Sequence, residues 1–137
     1  MAGIYKRDDI KALVSITRGE GYGLPLIEAA ASETPVIATN WSGHLDFMNL
    51  GKFIKIDYIL KDIIGTRVDN RIFMEGTRWA EPIENDFKRK ILKFRNKNDI
   101  PNEWAKDLSM KIKSRFSKKS IIDIYNGIFD KFIGKLE

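Results

Sequence analysis

The chain has 137 residues, a formal net charge of +5 at pH 7, no cysteine and one histidine. This length fits one domain, and the composition excludes thiol catalysis, disulfides, cysteine-ligated metals and a histidine-rich metal site. No apolar run approaches the roughly 20 residues that span a bilayer, and the N-terminus lacks a signal-peptide core, so we expect a cytoplasmic protein.

The first predicted elements are a short helix and a strand. The helix is expected over Arg7 to Leu13, with Asp8 near its N-terminus. A run rich in β-branched residues, Val14 to Thr17, follows and ends at Arg18-Gly19, which predicts a buried strand.

A glycine-rich loop comes next and leads into a second helix. Gly19, Gly21 and Gly23 alternate with other residues, so the backbone can adopt positive φ and approach a ligand closely. Pro25 suits the first turn of a helix that Thr34-Pro35 ends. Free N–H groups at the start of this helix, with the helix dipole behind them, favour a phosphate.

A second strand, Val36 to Thr39, is parallel to the first if the helix is a crossover. Ligands of such a unit bind beyond the carboxyl ends of the strands, where residues 18–23 and 40–43 both lie. Glu20 and Glu28 bracket the loop, and carboxylates accept hydrogen bonds from sugar hydroxyls. The pattern therefore predicts an anionic ligand that also carries hydroxyls, and a nucleotide diphosphate sugar is one ligand of this kind.

Each of these features also has a structural explanation. Glycines often join a strand to a helix, so the loop by itself is a weak motif. Glu28 would then be a solvated helix residue and Arg18 a surface cation. We interpret His44 as structural rather than as a general base, and Trp41 as a packing residue or a cleft wall.

In the middle of the chain, the sequence pattern predicts shorter elements. Ser42 is expected to cap a short helix over Leu45 to Met48. Lys52 to Tyr58 alternates apolar and polar residues, which predicts a strand with one solvated face. We expect a short extended segment within Thr66 to Met74, and a loop over Glu75 to Pro82 whose final proline starts the next helix.

Residues 83–137 are predicted to be the helical portion of the same single, partial domain, 1–137. Asp99 to Pro101 is expected to separate the first two of three helices, and Ser117 and Ser120 to cap the third. The third helix is expected to expose apolar surface to a partner chain or a second copy. The apolar positions at helical spacing are Ile83, Phe87, Ile91 and Phe94; then Trp104, Leu108, Ile112 and Phe116; then Ile121, Ile122, Tyr125, Ile128, Phe129, Phe132 and Leu136.

Positive charge is concentrated between Lys88 and Lys119. One explanation is the solvated faces of amphipathic helices. The other is a patch for an anionic membrane surface or a polyanionic acceptor. Aromatic and basic residues do not interleave as in RNA-binding modules, so nucleic acid is not an expected partner.

The motif from Arg18 to Ala29, RGEGYGLPLIEA, followed by TPVIAT at residues 34–39, resembles the nucleotide-sugar signature of retaining glycosyltransferases of the two-domain GT-B type, group 1 or family 4. Residues 79–82 are similar to a later segment of some members. The resemblance implies a small Rossmann-like parallel sheet flanked by helices, within an α/β fold: a partial GT-B C-terminal domain with a helical C-terminal third. Only thirteen residues precede Val14, so we expect a chain truncated at its N-terminal side, without the domain that supplies most of the acceptor site.

The resemblance also implies a role for each matching residue. Glu20, as catalytic residue, would contact the hydroxyls of the transferred sugar, and Glu28 the ribose. Family members usually act without a bound metal, so the resemblance implies no metal and no cofactor besides the donor. The remaining predicted site residues are Arg18, Gly21, Tyr22, Gly23 and Leu24 around the donor sugar and diphosphate, and Thr17, Asn40, Trp41, Ser42 and Gly43 along the cleft.

The predicted function is therefore that of the donor-binding half of a glycosyltransferase, which moves a hexose from a nucleotide diphosphate sugar to an acceptor with retention of anomeric configuration. The alternative is a noncatalytic nucleotide-sugar-binding or assembly module, or a fragment without its acceptor domain. The expected partners are the donor, an acceptor, and a partner chain or second copy at the last helix.

Overall fold

Three short strands form a parallel sheet in the computed structural model, which describes residues 2–133. They are β1 (Leu13–Ser15), β2 (Val36–Thr39) and β3 (Ile54–Ile56), and they neighbour one another in that order. Both pairings are parallel, with Val14 opposite Ile37 and Ile37 opposite Ile54. The predicted parallel arrangement of the first two strands is confirmed, and the second strand has the predicted bounds.

Helices cover both faces of this sheet, as predicted for an α/β fold. The helices are α1 (Ala2–Tyr5), α2 (Leu24–Ala31), α3 (Leu45–Met48), α4 (Glu84–Asn96), α5 (Asp99–Arg115) and α6 (Lys118–Ile133).

The central strand divides the core, because its side chains alternate between the two faces. Val36 and Ala38 belong to the apolar cluster that holds α2, α3 and α5 against one face. Ile37 lies on the other face with Phe94 of α4. All four residues of β2 are buried, which explains why its short apolar run was sufficient to predict it.

An antiparallel hairpin stands between β3 and α4. Its strands are β4 (Tyr58–Asp62) and β5 (Arg78–Pro82), and a 3₁₀ turn, Gly65–Arg67, lies in the connection. The predicted extended segment within residues 66–74 is wrong, and residues 78–82 form a strand rather than a loop. These residues become extended by pairing with β4, which local sequence pattern does not show.

Two helix starts also differ from the prediction. Helix α4 begins at Glu84 and not at Pro82, because Pro82 is still paired with Tyr58 in the hairpin. Helix α5 begins at Asp99, so Pro101 lies in its first turn, where its missing N–H costs nothing. Asp99 to Pro101 therefore starts a helix instead of separating two.

The predicted helix over Arg7 to Leu13 is wrong. The helical residues there are Ala2–Tyr5, and the chain then forms turns before β1. Arg7 donates both of its hydrogen bonds to Asp9, only two residues away. Helical neighbours are three or four residues apart, so this contact belongs to a turn.

Helix α6 starts after Ser117, as predicted, but fully buries none of its side chains against the rest of the described chain. The hydroxyl of Ser117 accepts the N–H of Ser120 at 3.1 Å, which confirms the predicted cap. None of the residues of α6 is buried. Ile121 is half-buried, and the large apolar side chains from Ile122 to Ile133 are exposed, as expected. Leu136, the last predicted position of this stripe, lies outside the described residues. Within residues 2–133, no helix has the length and apolar character needed to cross a membrane.

Candidate functional site

The glycine loop, residues 16–23, joins β1 to α2 at the carboxyl end of the sheet. Gly23 precedes the helix with φ of 88°, a left-handed conformation that favours glycine. A Cβ there would lie 3.0 Å from the Cβ of His44. The carbonyl of Gly23 accepts the N–H groups of Leu26 and Ile27, so the helix starts at the loop, with Pro25 in its first turn as predicted.

Hydrogen bonds fasten this loop to the segment that follows β2. The N–H of Glu20 donates to the Ser42 hydroxyl at 2.9 Å, and that hydroxyl donates back to the Glu20 carbonyl at 2.6 Å. The N–H of Gly43 donates to the same carbonyl at 3.0 Å. Ser42 has φ of 91°, a strained value for a residue with a side chain, and these bonds hold it there.

Ser42 therefore has a different role from the predicted one. The residue before α3 is His44, and no side chain caps that helix. The hydroxyl of Ser42 instead bonds to the backbone of Glu20, whose N–H it accepts and to whose carbonyl it donates. The prediction of a Ser42 cap is wrong, although α3 itself has the predicted bounds.

The two segments also touch through their main chains. A Cβ built on Gly43 would lie 1.9 Å from the carbonyl oxygen of Gly21. Such a distance is far inside van der Waals contact, so only glycine fits at position 43 in this arrangement. The loop is thus held by backbone contact as well as by hydrogen bonds.

A buried polar layer lies beneath the loop. The hydroxyl of Thr39 donates to the Thr17 carbonyl at 2.9 Å, and the Nε2 of His44 lies 2.9 Å from the Thr39 carbonyl. The carbonyl only accepts, so Nε2 carries the proton in this contact. His44 is 1% exposed, which supports the interpretation of this histidine as a structural residue.

Glu28 lies on α2, which begins at the end of the loop, and its side chain is half-buried. Its Oε2 is buried and has no hydrogen-bond partner among the described residues. Buried carboxylate oxygens are normally paired, because leaving one unpaired costs free energy. An unpartnered oxygen here has the chemistry to accept a hydrogen bond from a ligand hydroxyl.

Arg18 is engaged with the hairpin. Its guanidinium donates to both carboxylate oxygens of Glu81, at 2.5 and 2.9 Å, and lies 4.6 Å from the ring centre of Trp79. The N–H of Ala80 donates to the Arg18 carbonyl at 3.2 Å. The hydrogen bond from Arg18 lowers the pKa of Glu81. The charge of Arg18, predicted to meet the donor diphosphate, is therefore compensated by a protein carboxylate.

Glu81 and Trp79 are contacts of the site that residue spacing did not indicate. Glu81 is 63 residues from Arg18 in the chain, so only the fold brings them together. The one signal in the sequence is the predicted resemblance of residues 79–82 to a later segment of some family members, which stays a prediction.

A cleft of about 920 Å³ lies between the glycine loop and the hairpin. Thr17, Arg18 and Trp41 line it, so the structure brings these three predicted residues together with Trp41 as a wall. The ring of Trp41 lies 5.2 Å from that of Tyr58.

The remaining predicted residues do not line this cleft. Tyr22 lies 5.3 Å from Phe47, ring centre to ring centre, and is partly exposed. Leu24 is exposed at the start of α2, and Asn40 is half-buried after β2. Within residues 2–133, no group of three or more histidine, aspartate or glutamate side chains could hold a metal ion.

The structure is thus an α/β domain with a glycine loop between a strand and a helix, at the carboxyl end of the parallel sheet. A family model described as glycosyl transferases group 1 matches residues 1–62. The match includes the glycine loop, both predicted carboxylates and the parallel sheet, and it supports glycosyl transfer as the reaction class. Comparisons with curated proteins and with solved structures gave no match.

Proposed function

We propose that this chain is the nucleotide-sugar-binding half of a retaining glycosyltransferase that transfers a hexose. The observation that carries the proposal is the buried, unpartnered Oε2 of Glu28 on the helix that follows the glycine loop. A ribose hydroxyl would supply the missing donor to this oxygen. The match of residues 1–62 to group 1 glycosyl transferases supports the same assignment.

The other donor contacts in the proposal come from the glycine loop. Main-chain N–H groups from Gly21 to Leu24, at the start of α2, would meet the diphosphate, since no side chain caps this helix. Glu20 would contact the hydroxyls of the transferred sugar. Ser42 and Gly43 fix the backbone of Glu20 and so would set the position of its side chain.

Stabilisation of the departing diphosphate would carry the catalysis. The donor bond that breaks leaves negative charge on the diphosphate, and the helix N-terminus offers partial positive charge to it.

A noncatalytic nucleotide-sugar-binding module is the second candidate. The observation that favours it is the bidentate pairing of Arg18 with Glu81, which compensates the positive charge of Arg18 in the glycine loop. Weak neutralisation of a leaving diphosphate lowers transfer more than it lowers binding of the donor.

The test is calorimetric titration of the chain with UDP-, GDP- and ADP-linked hexoses. We expect one donor to bind selectively, and Glu28→Ala to weaken its binding roughly 10- to 100-fold, the usual loss for one charged hydrogen bond. Glu103→Ala, an exposed carboxylate on α5, is the matched control and should bind like the wild type. Equal affinity in the Glu28 and Glu103 variants would refute the ribose assignment.

Hydrolysis of the bound donor separates the two candidates. For a transferase we expect slow release of the nucleoside diphosphate, lost in Glu20→Ala while most donor affinity remains. Release that is undetectable in the wild type, with intact binding, would favour the noncatalytic module.

A further inference from the structure

A groove lined by lysines and aromatic rings runs along β3, which is at the opposite edge of the sheet from β1. It lies between β3, the C-terminal half of α4 and the first turns of α5, and has a volume of about 480 Å³. This is within the roughly 300–1,000 Å³ typical of sites for small ligands. The residues of the glycine loop take no part in its lining.

The floor and walls of the groove are apolar. Phe53 and Phe94 are each 7% exposed, and the half-buried Trp104 faces the groove from α5. Ile100 lines the same groove and is 49% exposed. An apolar occupant would remove the exposed surface of Ile100 and Trp104 from water, which is favourable, and would rest on the largely buried rings of Phe53 and Phe94.

Positive charge surrounds these walls. Lys55, Lys90, Lys93 and Lys97 line the groove, and no aspartate or glutamate does. Lys90 is compensated by Asp86 at 2.7 Å.

The other lysines of the rim have little compensation. Lys55 donates to the uncharged amide of Asn49. Within residues 2–133, Lys93 and Lys97 form no salt bridge. The rim is therefore complementary to a negative charge and the interior to a hydrocarbon.

We propose that this groove binds one single-chain anionic amphiphile. Its alkyl chain lies against Phe53, Phe94 and Trp104, and its acidic head meets Lys93 and Lys97. A lysine ammonium is a compact charge without a fork geometry, so the site accepts a carboxylate or a phosphate head. This site is independent of the proposed donor site.

The first test is a titration with dodecyl phosphate and dodecanoate below their critical micelle concentrations. Binding is measured by calorimetry and by the NMR signal of the Trp104 indole N–H. We expect saturable binding of both probes and a shift of that signal, identified with Trp104→Phe. Dodecyl maltoside, with an uncharged head, should bind at least tenfold more weakly, and inorganic phosphate should leave the signal in place. Absent binding of dodecyl phosphate, or equal binding of the maltoside, would overturn the proposal.

Two pairs of variants locate the site. The double variant Lys93→Gln/Lys97→Gln should weaken the binding of dodecyl phosphate at least tenfold. The double variant Lys118→Gln/Lys119→Gln removes the same amount of charge on α6 and should leave this binding unchanged. Equal losses of affinity in both double variants would mean that overall charge attracts the probe, and would overturn the proposal that it binds in this groove.

The apolar wall has its own control. Ile100→Ser should weaken binding without changing the urea midpoint, and Met110→Ser, an exposed apolar site on α5 away from the groove, should not. Binding to anionic vesicles without any binding of monomeric probe would also overturn the proposal, since a membrane surface would then be the partner.

Discussion

At the scale of single residues, glycines and one carboxylate control the candidate site and its support. Gly43 packs against the main chain of Gly21, whereas Gly19 has open space around the position of a Cβ. Gly19 belongs to the glycine loop and Gly43 lies after β2, but only Gly43 is required by packing. Backbone contact between separate segments gives that difference.

Gly43→Ala should destabilise the chain by roughly 1–3 kcal/mol, because the new methyl group forces the glycine loop away from residues 42–43. Urea unfolding measures the change, and nucleotide binding should weaken with it. Gly19→Ala is the control and should unfold like the wild type. Equal stability of the two variants would contradict the close packing.

Asp86, near the start of α4, connects this helix to the end of β3. It is 7% exposed, accepts the N–H of Asp57 at 2.9 Å, and pairs with Arg89 and Lys90. Burial raises the pKa of Asp86, but the hydrogen bonds from Asp57, Lys90 and Arg89 outweigh it and lower the pKa from 3.8 to about 2. The folded state therefore favours the ionised carboxylate.

The stabilisation from ionised Asp86 is present above the pKa of the unfolded chain, near 3.8, and is lost as pH falls to about 2. Asp86→Asn should lower the unfolding free energy at pH 7 by roughly 1–3 kcal/mol and flatten the stability curve between these pH values. Urea unfolding across that range measures both. Glu84→Gln, at an exposed ion pair with Lys88, should change little. A pH profile unchanged in Asp86→Asn would disprove the assignment.

At the scale of elements, the β4–β5 hairpin is the unit that residue spacing alone did not predict. It contacts the rest of the site through Arg18, which binds Glu81, lies over Trp79 and accepts the N–H of Ala80. The side chain of Arg18 is nearly half exposed, so water screens the ion pair. We therefore expect the ion pair between Arg18 and Glu81 to contribute little free energy of unfolding. We expect it to have a larger effect on how well the hairpin is ordered.

A double-mutant cycle with Arg18→Gln and Glu81→Gln should give a coupling free energy of roughly 0.2–1 kcal/mol. Hydrogen exchange of the Ala80 N–H should become faster in both single variants, because the hairpin detaches more often from the Arg18 carbonyl in the glycine loop. Arg78→Gln removes an exposed cation of the same hairpin and should leave this exchange rate unchanged. Faster exchange in all three variants would point to general loosening instead.

At the scale of the whole molecule, α6 contributes little to the core. No residue of Lys118–Ile133 is buried, and several large apolar side chains face outward. Ile128 is 46%, Phe129 54% and Phe132 66% exposed. Exposed apolar surface of this extent favours association.

We expect the chain to associate as its concentration rises, and Ile128→Glu/Phe132→Glu to abolish this association without altering the unfolding midpoint measured in dilute solution. Sedimentation velocity gives the first quantity and urea unfolding the second. Lys118→Glu/Lys119→Glu, at the start of the same helix, changes charge without touching the apolar face. If the chain stays monomeric at every concentration, the association is excluded.

The sequence determined those parts of the fold whose causes are local. The bounds of β2 follow from a continuous apolar run, and those of α3 also agree with the prediction. Pro25 marks a helix start, and Ser117 caps α6 with a side chain that bonds three residues ahead. The glycine loop and its place at the carboxyl edge follow from the same kind of pattern.

Only the tertiary structure decided the rest, because the causes are contacts between distant residues. Residues 78–82 become a strand through pairing with residues 58–62, and Arg18 binds a carboxylate 63 positions away. Ser42 bonds to Glu20 instead of capping a helix, since the loop lies within reach of its hydroxyl. Such choices depend on which surfaces meet after collapse, and residue spacing alone does not specify them.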